Sequence, residues 1–350
     1  MKRNKTMDYN LFIIPFLKSF LIAAGLSLSL ILLSEKIKTG KRKSSRHIHS
    51  KKVSRLGGAA IISAFLISIL TDQNLVITAQ LYGIIAASLF ILAVGLWDDF
   101  WKLEWKTQLF FQICAAISVF IMGVQVEYIT NPLGGVVFLN LGKYLIPSLL
   151  FVIAWLVIMM NAMNWLDGID GLSGGVAFIG ALTIFFLSLS PEVNQPPVGI
   201  IAVILAGAAL GFLIFNFYPA RIMAGTSGAM FMGFALAALA IFAGTKIATA
   251  LLIMAIPVID VFWVIGERIK AGDPIFKSDT RHLHRKLMEL GWTQRKISLF
   301  FYAVTFLISG VALNTRAIGK SITIVLVVVI MVASLIIINK KLPSNVKSKA

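Results

Sequence analysis

The sequence contains a single cysteine, Cys114, and it lies inside an apolar run. One thiol closes no intrachain disulfide and builds no cysteine-based zinc site, so a disulfide scaffold and a zinc module are both excluded. Charge is also scarce: 13% of the 350 residues are Asp, Glu, Lys or Arg, against 58% hydrophobic. A soluble domain cannot hide that much apolar surface. Acids are the scarcer half, 15 against 32 Lys and Arg, leaving a net charge of +17. In a soluble chain that excess would suggest nucleic acid. Here the bases sit in short stretches between apolar runs, which is a membrane-topology pattern, and no nucleic-acid partner is expected. No internal repeat of the inverted-transporter kind is visible.

What the chain has in abundance is apolar runs long enough to read as membrane helices. They fall at roughly 11–33, 57–70, 75–96, 107–123, 144–163, 172–190, 197–217, 229–244, 247–265, 297–314 and 319–339, with ends good to a few residues. The expected fold is all-α: one polytopic membrane domain over residues 1–350, with about eleven spans, or ten. The second and eighth runs are short, so tilt, a kink or partial re-entry is expected there. The first run carries Lys18 and lacks a small-residue cleavage site, and it reads as an anchor rather than a cleaved signal peptide.

Eleven spans place the termini on opposite sides. One side then receives 34–56, 97–106, 161–171, 218–228, 266–296 and the tail from Lys340, which hold 24 of the 32 Lys and Arg. That side is expected to be cytoplasmic. The basic N-terminus falls on the outer side, against the usual weight of the first helix, and the summed bias decides. Apart from Lys18 and Asp260 the spans hold few charges.

Five polar constellations gather at the expected inner face. The most informative is Asn161-Ala162-Met163-Asn164-Trp165-Leu166-Asp167-Gly168-Ile169-Asp170-Gly171. Two amides and two carboxylates recur every third residue, which in a helix makes a slanting polar ribbon. Carboxylates beside apolar helices are costly unless something cationic or polar meets them. Asp98-Asp99, at the end of the third run, can bind a divalent ion or take up a proton, and Lys102 and Lys106 follow at four and eight residues. Gly225-Thr226-Ser227-Gly228 suits a turn whose backbone N–H groups cradle a phosphate, with Arg221 adding charge. His282-Leu283-His284-Arg285-Lys286, in the long stretch after the ninth run, suits a pyrophosphate and is a poor zinc site. Arg46 to Gly58, with His47, His49, Lys51 and Arg55, leads into a Gly-Gly helix start that could hold a lipid phosphate. Taken singly, each has a plainer explanation: a solvated helix end, interhelical hydrogen bonding, an ordinary turn, or a basic stretch beside anionic lipid.

In order, these motifs resemble the polyprenyl-phosphate N-acetylhexosamine-1-phosphate transferases. That family carries an H-x-K-P-x-P-R-x-G-G entry, a D-D pair, an N-x-x-N-x-x-D-G-x-D-G-L ribbon, an N-x-x-P-A…G-D-[ST]-G loop and an H-x-H-H loop. The resemblance runs from about Arg46 to Trp292; Arg55-Leu56-Gly57-Gly58 and His282-Leu283-His284 look more like the GlcNAc-1-phosphate branch than the lipid I branch. It implies ten or eleven spans and cytoplasmic catalytic loops in a bacterial inner membrane. It also implies the reaction: undecaprenyl phosphate attacks the sugar-linked phosphorus of a UDP-amino sugar, giving a lipid diphosphate sugar and UMP. By resemblance, Asp98 would position or deprotonate the lipid phosphate. Asn164, Asp167 and Asp170 would shape the nucleotide and metal site, joined by Asn161 as a substrate contact. Asn216 would contact the nucleotide, while Lys51, Arg55, Lys106, His282, His284 and Arg285 would hold phosphates. Mg²⁺, or Mn²⁺ in its place, would be held at Asp99, Asp170 and position 226. A homodimer is left open.

Four positions depart from the pattern. The family's loop aspartate, a metal ligand, is Thr226 here; its third loop histidine is Arg285; two entry prolines are Lys52 and Ser54. A hydroxyl is a far weaker ligand for a hard cation than a carboxylate. The alternative reading is therefore a weakened or inactive member that binds lipid phosphate or nucleotide sugar without turnover. A transporter is the weakest reading, because so few charges lie inside spans.

Overall fold

The computed structural model describes residues 9–37, 53–131, 134–140, 145–244, 246–274 and 281–342. Among these the chain is helical apart from one small hairpin. The helices are α1 (Asn10–Ile37), α2 (Gly57–Leu70), α3 (Ala79–Trp101), α4 (Trp105–Ile121), α5 (Ile146–Leu166), α6 (Leu172–Ser188), α7 (Pro196–Asn216), α8 (Gly225–Phe242), α9 (Ile247–Ile253), α10 (Ala255–Ala271), α11 (Leu283–Glu289), α12 (Gln294–Asn314) and α13 (Ala317–Lys341). Strands β1 (Tyr128–Thr130) and β2 (Val136–Phe138) pair antiparallel between α4 and α5. Every expected apolar run coincides with helix.

Length separates these helices into two groups. Seven are long and apolar enough to cross a bilayer, and an eighth crossing arises if α9 and α10 count as one. Helices α2, α4 and α6 are shorter, with 14, 17 and 17 residues. At about 1.5 Å per residue they fall short of a hydrocarbon core about 30 Å thick. The ninth run, expected as one span, is broken at Met254 and bent by 75°. Pro257 stands in the first turn of α10, where it costs no hydrogen bond and suits a restart. The sharp break thus falls in the ninth run, whereas α8, from the short eighth run, is a continuous helix.

Helix α8 is the axis of the bundle, buried along nearly its whole length, while α13 is mostly exposed. Trp155 donates its indole N–H to the Ala237 carbonyl at 3.1 Å, tying α5 to α8. Phe65 of α2 meets Phe231 of α8 edge to face at 5.1 Å. Small residues let α1 lie close on α7: a Cβ at Gly207 would come 2.3 Å from the Phe16 carbonyl oxygen, and at Gly211 2.4 Å from that of Phe20. In a bilayer, where apolar burial drives little, this close backbone approach supplies the packing energy.

Candidate active site

Helix ends build the site. Helix α3 finishes with Asp98 and Asp99, and α8 begins with Gly225, Thr226 and Ser227. The Asp99 carboxylate caps α8: Oδ1 accepts the Thr226 N–H at 2.7 Å, and Oδ2 accepts the Ser227 N–H at 3.2 Å and its hydroxyl at 2.9 Å. A carboxylate suits the positive end of a helix. The glycine-rich turn expected to cradle a phosphate therefore presents two of its N–H groups to the protein's own anion. Gly225 has φ +69°, and a Cβ there would lie 2.6 Å from Asp99 Oδ2, so glycine is required.

Asp98 is held from three directions. Its Oδ1 accepts the Leu103 N–H and the Gln108 side-chain N–H, both at 2.7 Å, and its Oδ2 accepts the Thr226 hydroxyl at 2.6 Å. Beside it lies an apolar groove lined by Phe90, Ile91, Val94, Phe111, Met160 and Met230. The segment before α2 closes the other flank. Ser54 pairs with Ile222, the Met223 N–H donates to the Ser54 carbonyl at 2.8 Å, and Gly57 and Gly58 donate to the Met223 and Ala224 carbonyls. Here too the Gly-Gly N–H groups are taken by backbone. Arg55 stands exposed on this strip.

The polar ribbon is helical only in part. Helix α5 stops at Leu166, Asp167 is its C-cap, and Gly171 turns the chain at φ +77°. Asn161 and Asn164 therefore share a helix while Asp167 and Asp170 occupy the following turn; the two glycines allow the exit that a strict three-residue step conceals. Asp167 accepts the Ser173 hydroxyl at 2.5 Å. Although the residue keeps some surface, burial of the carboxyl pushes it up to about 7, aided by the Asp99 charge and opposed by Ser173, Arg55 and the Gly225 N–H. Asp170 is fully buried: its Oδ2 accepts the Ala220 N–H at 2.9 Å and its backbone N–H donates to Gln294 at 3.0 Å. Asn216 is equally buried, accepting from Gly171 N–H at 3.1 Å and donating to the Ile222 carbonyl at 2.8 Å. Both staple loops together.

The histidine segment folds onto this turn. His284 Nε2 lies against Gly168, where a Cβ would sit 2.2 Å away. His282 and His284 stack in parallel with ring centroids 5.8 Å apart, and Trp165 packs on His282 at 5.3 Å. Glu267 of α10 anchors the segment: it accepts both Lys286 Nζ bonds at 2.9 Å, the Trp263 indole at 2.7 Å and the Asn339 amide of α13 at 2.6 Å.

Burial, with the neighbouring His282 and Arg285 charges, holds His284 well below the usual imidazole range. The sign follows: below about pH 6.5 the unfolded chain takes up a proton that folded His284 refuses, so stability falls on acidification, by up to about 1.4 kcal/mol per pH unit. The apparent melting temperature in detergent should drop between pH 6.5 and 5, and His284→Gln should flatten that drop. Equal slopes in both proteins would refute the assignment.

Asn161 bonds Gln112 of α4, donating to Oε1 at 2.7 Å, and Asn164 is partly exposed in the last turn of α5. Lys106 is exposed, 5.8 Å above the Trp105 ring. Arg285 is partly exposed next to His284. Lys51, His47 and His49 lie outside the described residues. The structure thus brings Asp98, Asp99, Thr226, Asp167 and Arg55 to one end of the bundle, joins His284 to them through Gly168, and sets Asp170 and Asn216 behind as staples. Gln108, Ser173, Ser227, Gln294 and Tyr302, which donates to the Gly171 carbonyl, complete this frame. Ser227 belongs to the glycine-rich turn already singled out; Gln108, Ser173, Gln294 and Tyr302 stand in no recognisable spacing, each a single polar residue in or beside an apolar run.

Asp99, Asp170 and Thr226, as arranged, do not fit a protein-built divalent-cation cage. Asp99 is engaged with the α8 N-terminus, Asp170 with Ala220, and Thr226 turns its proton to Asp98. Among the described residues no three Asp, Glu, His or Cys side chains gather as a metal site.

Comparison with known proteins places this architecture. Glycosyl transferase family 4 matches residues 81–244. A decaprenyl-phosphate N-acetylglucosaminephosphotransferase of Mycobacterium leprae is 33% identical over 287 residues, 73% of this chain and 72% of that protein. A Bacillus subtilis protein, named "Probable undecaprenyl-phosphate N-acetylglucosaminyl 1-phosphate transferase", is 27% identical over 326 residues, 91% of this chain and 89% of its own length. A phospho-N-acetylmuramoyl-pentapeptide-transferase of Thermoanaerobacter sp. is 31% identical over 276 residues, 75% of this chain and 83% of that protein. With its acidic helix ends, its histidine segment and these relatives, the chain belongs to the polyprenyl-phosphate N-acetylhexosamine-1-phosphate transferases of glycosyl transferase family 4, membrane-embedded phosphoglycosyltransferases.

Proposed function

We propose that this protein transfers N-acetylglucosamine-1-phosphate from its UDP derivative to undecaprenyl phosphate. The products are undecaprenyl-diphosphate-N-acetylglucosamine and UMP, a first step toward a surface polysaccharide. The carrying observation is Asp98: a buried carboxylate whose two oxygens are oriented by Leu103, Gln108 and Thr226, at the mouth of an apolar groove. The cleft holds about 10 Å³ of open space, so its apolar walls must part to admit a lipid tail, while a lipid phosphate suits its polar end. An oxygen of that phosphate attacks the sugar-linked phosphorus; the bond from that phosphorus to the bridging oxygen breaks, and UMP leaves with the bridging oxygen. Such transfer needs positioning and charge neutralisation more than covalent chemistry from the protein. Arg55 lies near Asp167 and His284 lies against Gly168, so Arg55, Arg285 and the two histidines supply cationic and hydrogen-bonding groups at the same end of the bundle. The basic bias of the same face supports a cytoplasmic site in a bacterial inner membrane.

A second reading, binding without efficient turnover, draws on Thr226, whose hydroxyl proton is spent on Asp98. One assay separates them. The protein in nanodiscs, with undecaprenyl phosphate and a panel of UDP-sugars, with and without Mg²⁺, should release UMP fastest from UDP-N-acetylglucosamine. Thr226→Asp, measured alongside, should change the rate by less than about tenfold if the hydroxyl serves this chain as it stands. No UMP from wild type, with release restored in Thr226→Asp, would establish the second reading.

A further inference from the structure

Helix α10 carries the only acidic side chain inside an expected span, Asp260, and the transfer chemistry above leaves it unused. Asp260 is 7% exposed and points at the histidine segment. Its Oδ1 accepts the Leu283 N–H at 2.8 Å, and its Oδ2 lies 2.8 Å from His282 Nδ1. An ionised carboxylate has only acceptors, so His282 must carry its proton on Nδ1. That leaves Nε2 as the ring nitrogen for a ligand. Trp165 on one ring and the parallel His284 on another confine the imidazole, and Gly168 sets His284 against the Asp167 turn.

We propose that Asp260 is a positioning residue of the transferase, holding the Nδ1–H of His282 so that Nε2, protonated in the imidazolium, donates its N–H to the diphosphate of the nucleotide sugar. The inference rests on the transferase reading above. Carboxylate–imidazole pairs of this kind set both tautomer and ring angle, and a misplacement of about 1 Å at a reacting centre costs about 100-fold. Asp260 also holds the first N–H of α11, so a purely structural cap is the outcome to be distinguished.

The test uses full-length protein in nanodiscs and four variants: Asp260→Asn, Asp260→Glu, His282→Gln and the Asp260→Asn/His282→Gln pair. Asp260→Asn should lower kcat/KM for UDP-N-acetylglucosamine by about 100-fold, and Asp260→Glu should recover part of it. The pair should be no worse than His282→Gln alone, because Asp260 acts through that ring. With ¹⁵N-histidine labelling, the wild-type His282 signal, assigned by its loss in His282→Gln, should show the Nδ1–H pattern, and Asp260→Asn should lose it. Independent losses in the pair, or an unchanged nitrogen pattern in Asp260→Asn, would overturn the proposal. A wild-type protein that neither releases UMP nor is stabilised by UDP-N-acetylglucosamine counts against the transferase reading alone; the nitrogen signals then decide Asp260 by themselves.

Discussion

Asp98→Asn is expected to reduce UMP release about 1,000-fold while leaving the fold intact. The amide can keep its oxygen on the Leu103 and Gln108 donors and turn its nitrogen to Thr226, whose hydroxyl rotates to accept. What disappears is the negative charge at the head of the groove. A steady-state assay read beside a melting curve separates the two effects. A variant keeping more than about a tenth of wild-type turnover would show that Asp98 only braces the α3–α4 turn.

Gly95→Val should damage both stability and turnover, through a different cause. Gly95 lies one turn before Asp99, and a Cβ there would stand 2.3 Å from Ser227 Cα and 2.9 Å from its backbone nitrogen. Backbone cannot swing aside as a side-chain tip can, so α3 and α8 must separate at the point where Asp99 holds α8. Overpacking of this kind costs about 1–3 kcal/mol, and a shift of about 1 Å costs about 100-fold in rate. The melting temperature should fall and UMP release should drop together, with Gly95→Ala milder in both. A valine variant with wild-type melting and turnover would mean that the two helices are not in register at this crossing.

Much of this site was legible along the chain, and the illegible part has a common origin. Asp98, Asp99, the ribbon and the histidines announce themselves because carboxylates, amides and imidazoles are rare among apolar runs. Their destinations do not announce themselves. Asp99 meets Ser227 across 128 positions, and no local pattern tells whether a glycine turn faces a substrate phosphate or a resident carboxylate. Asn216 was legible as a site residue, yet its amide is bonded to Gly171 and Ile222. The helical step of three was legible from Asn161 to Asp170, but the glycines that end it act through φ, which spacing does not record. The 75° bend between α9 and α10 was hidden because Met254 is as apolar as its neighbours.

Glu267 ties together Trp263, Lys286 and Asn339. Helix α13, greasy and largely lipid-facing, therefore doubles as a foundation for the imidazole pair. Trimming or fusing the chain's far end is not neutral engineering: loosening Asn339 frees a carboxylate that would otherwise hold Lys286 still, and the slack is passed on to the stacked imidazole rings.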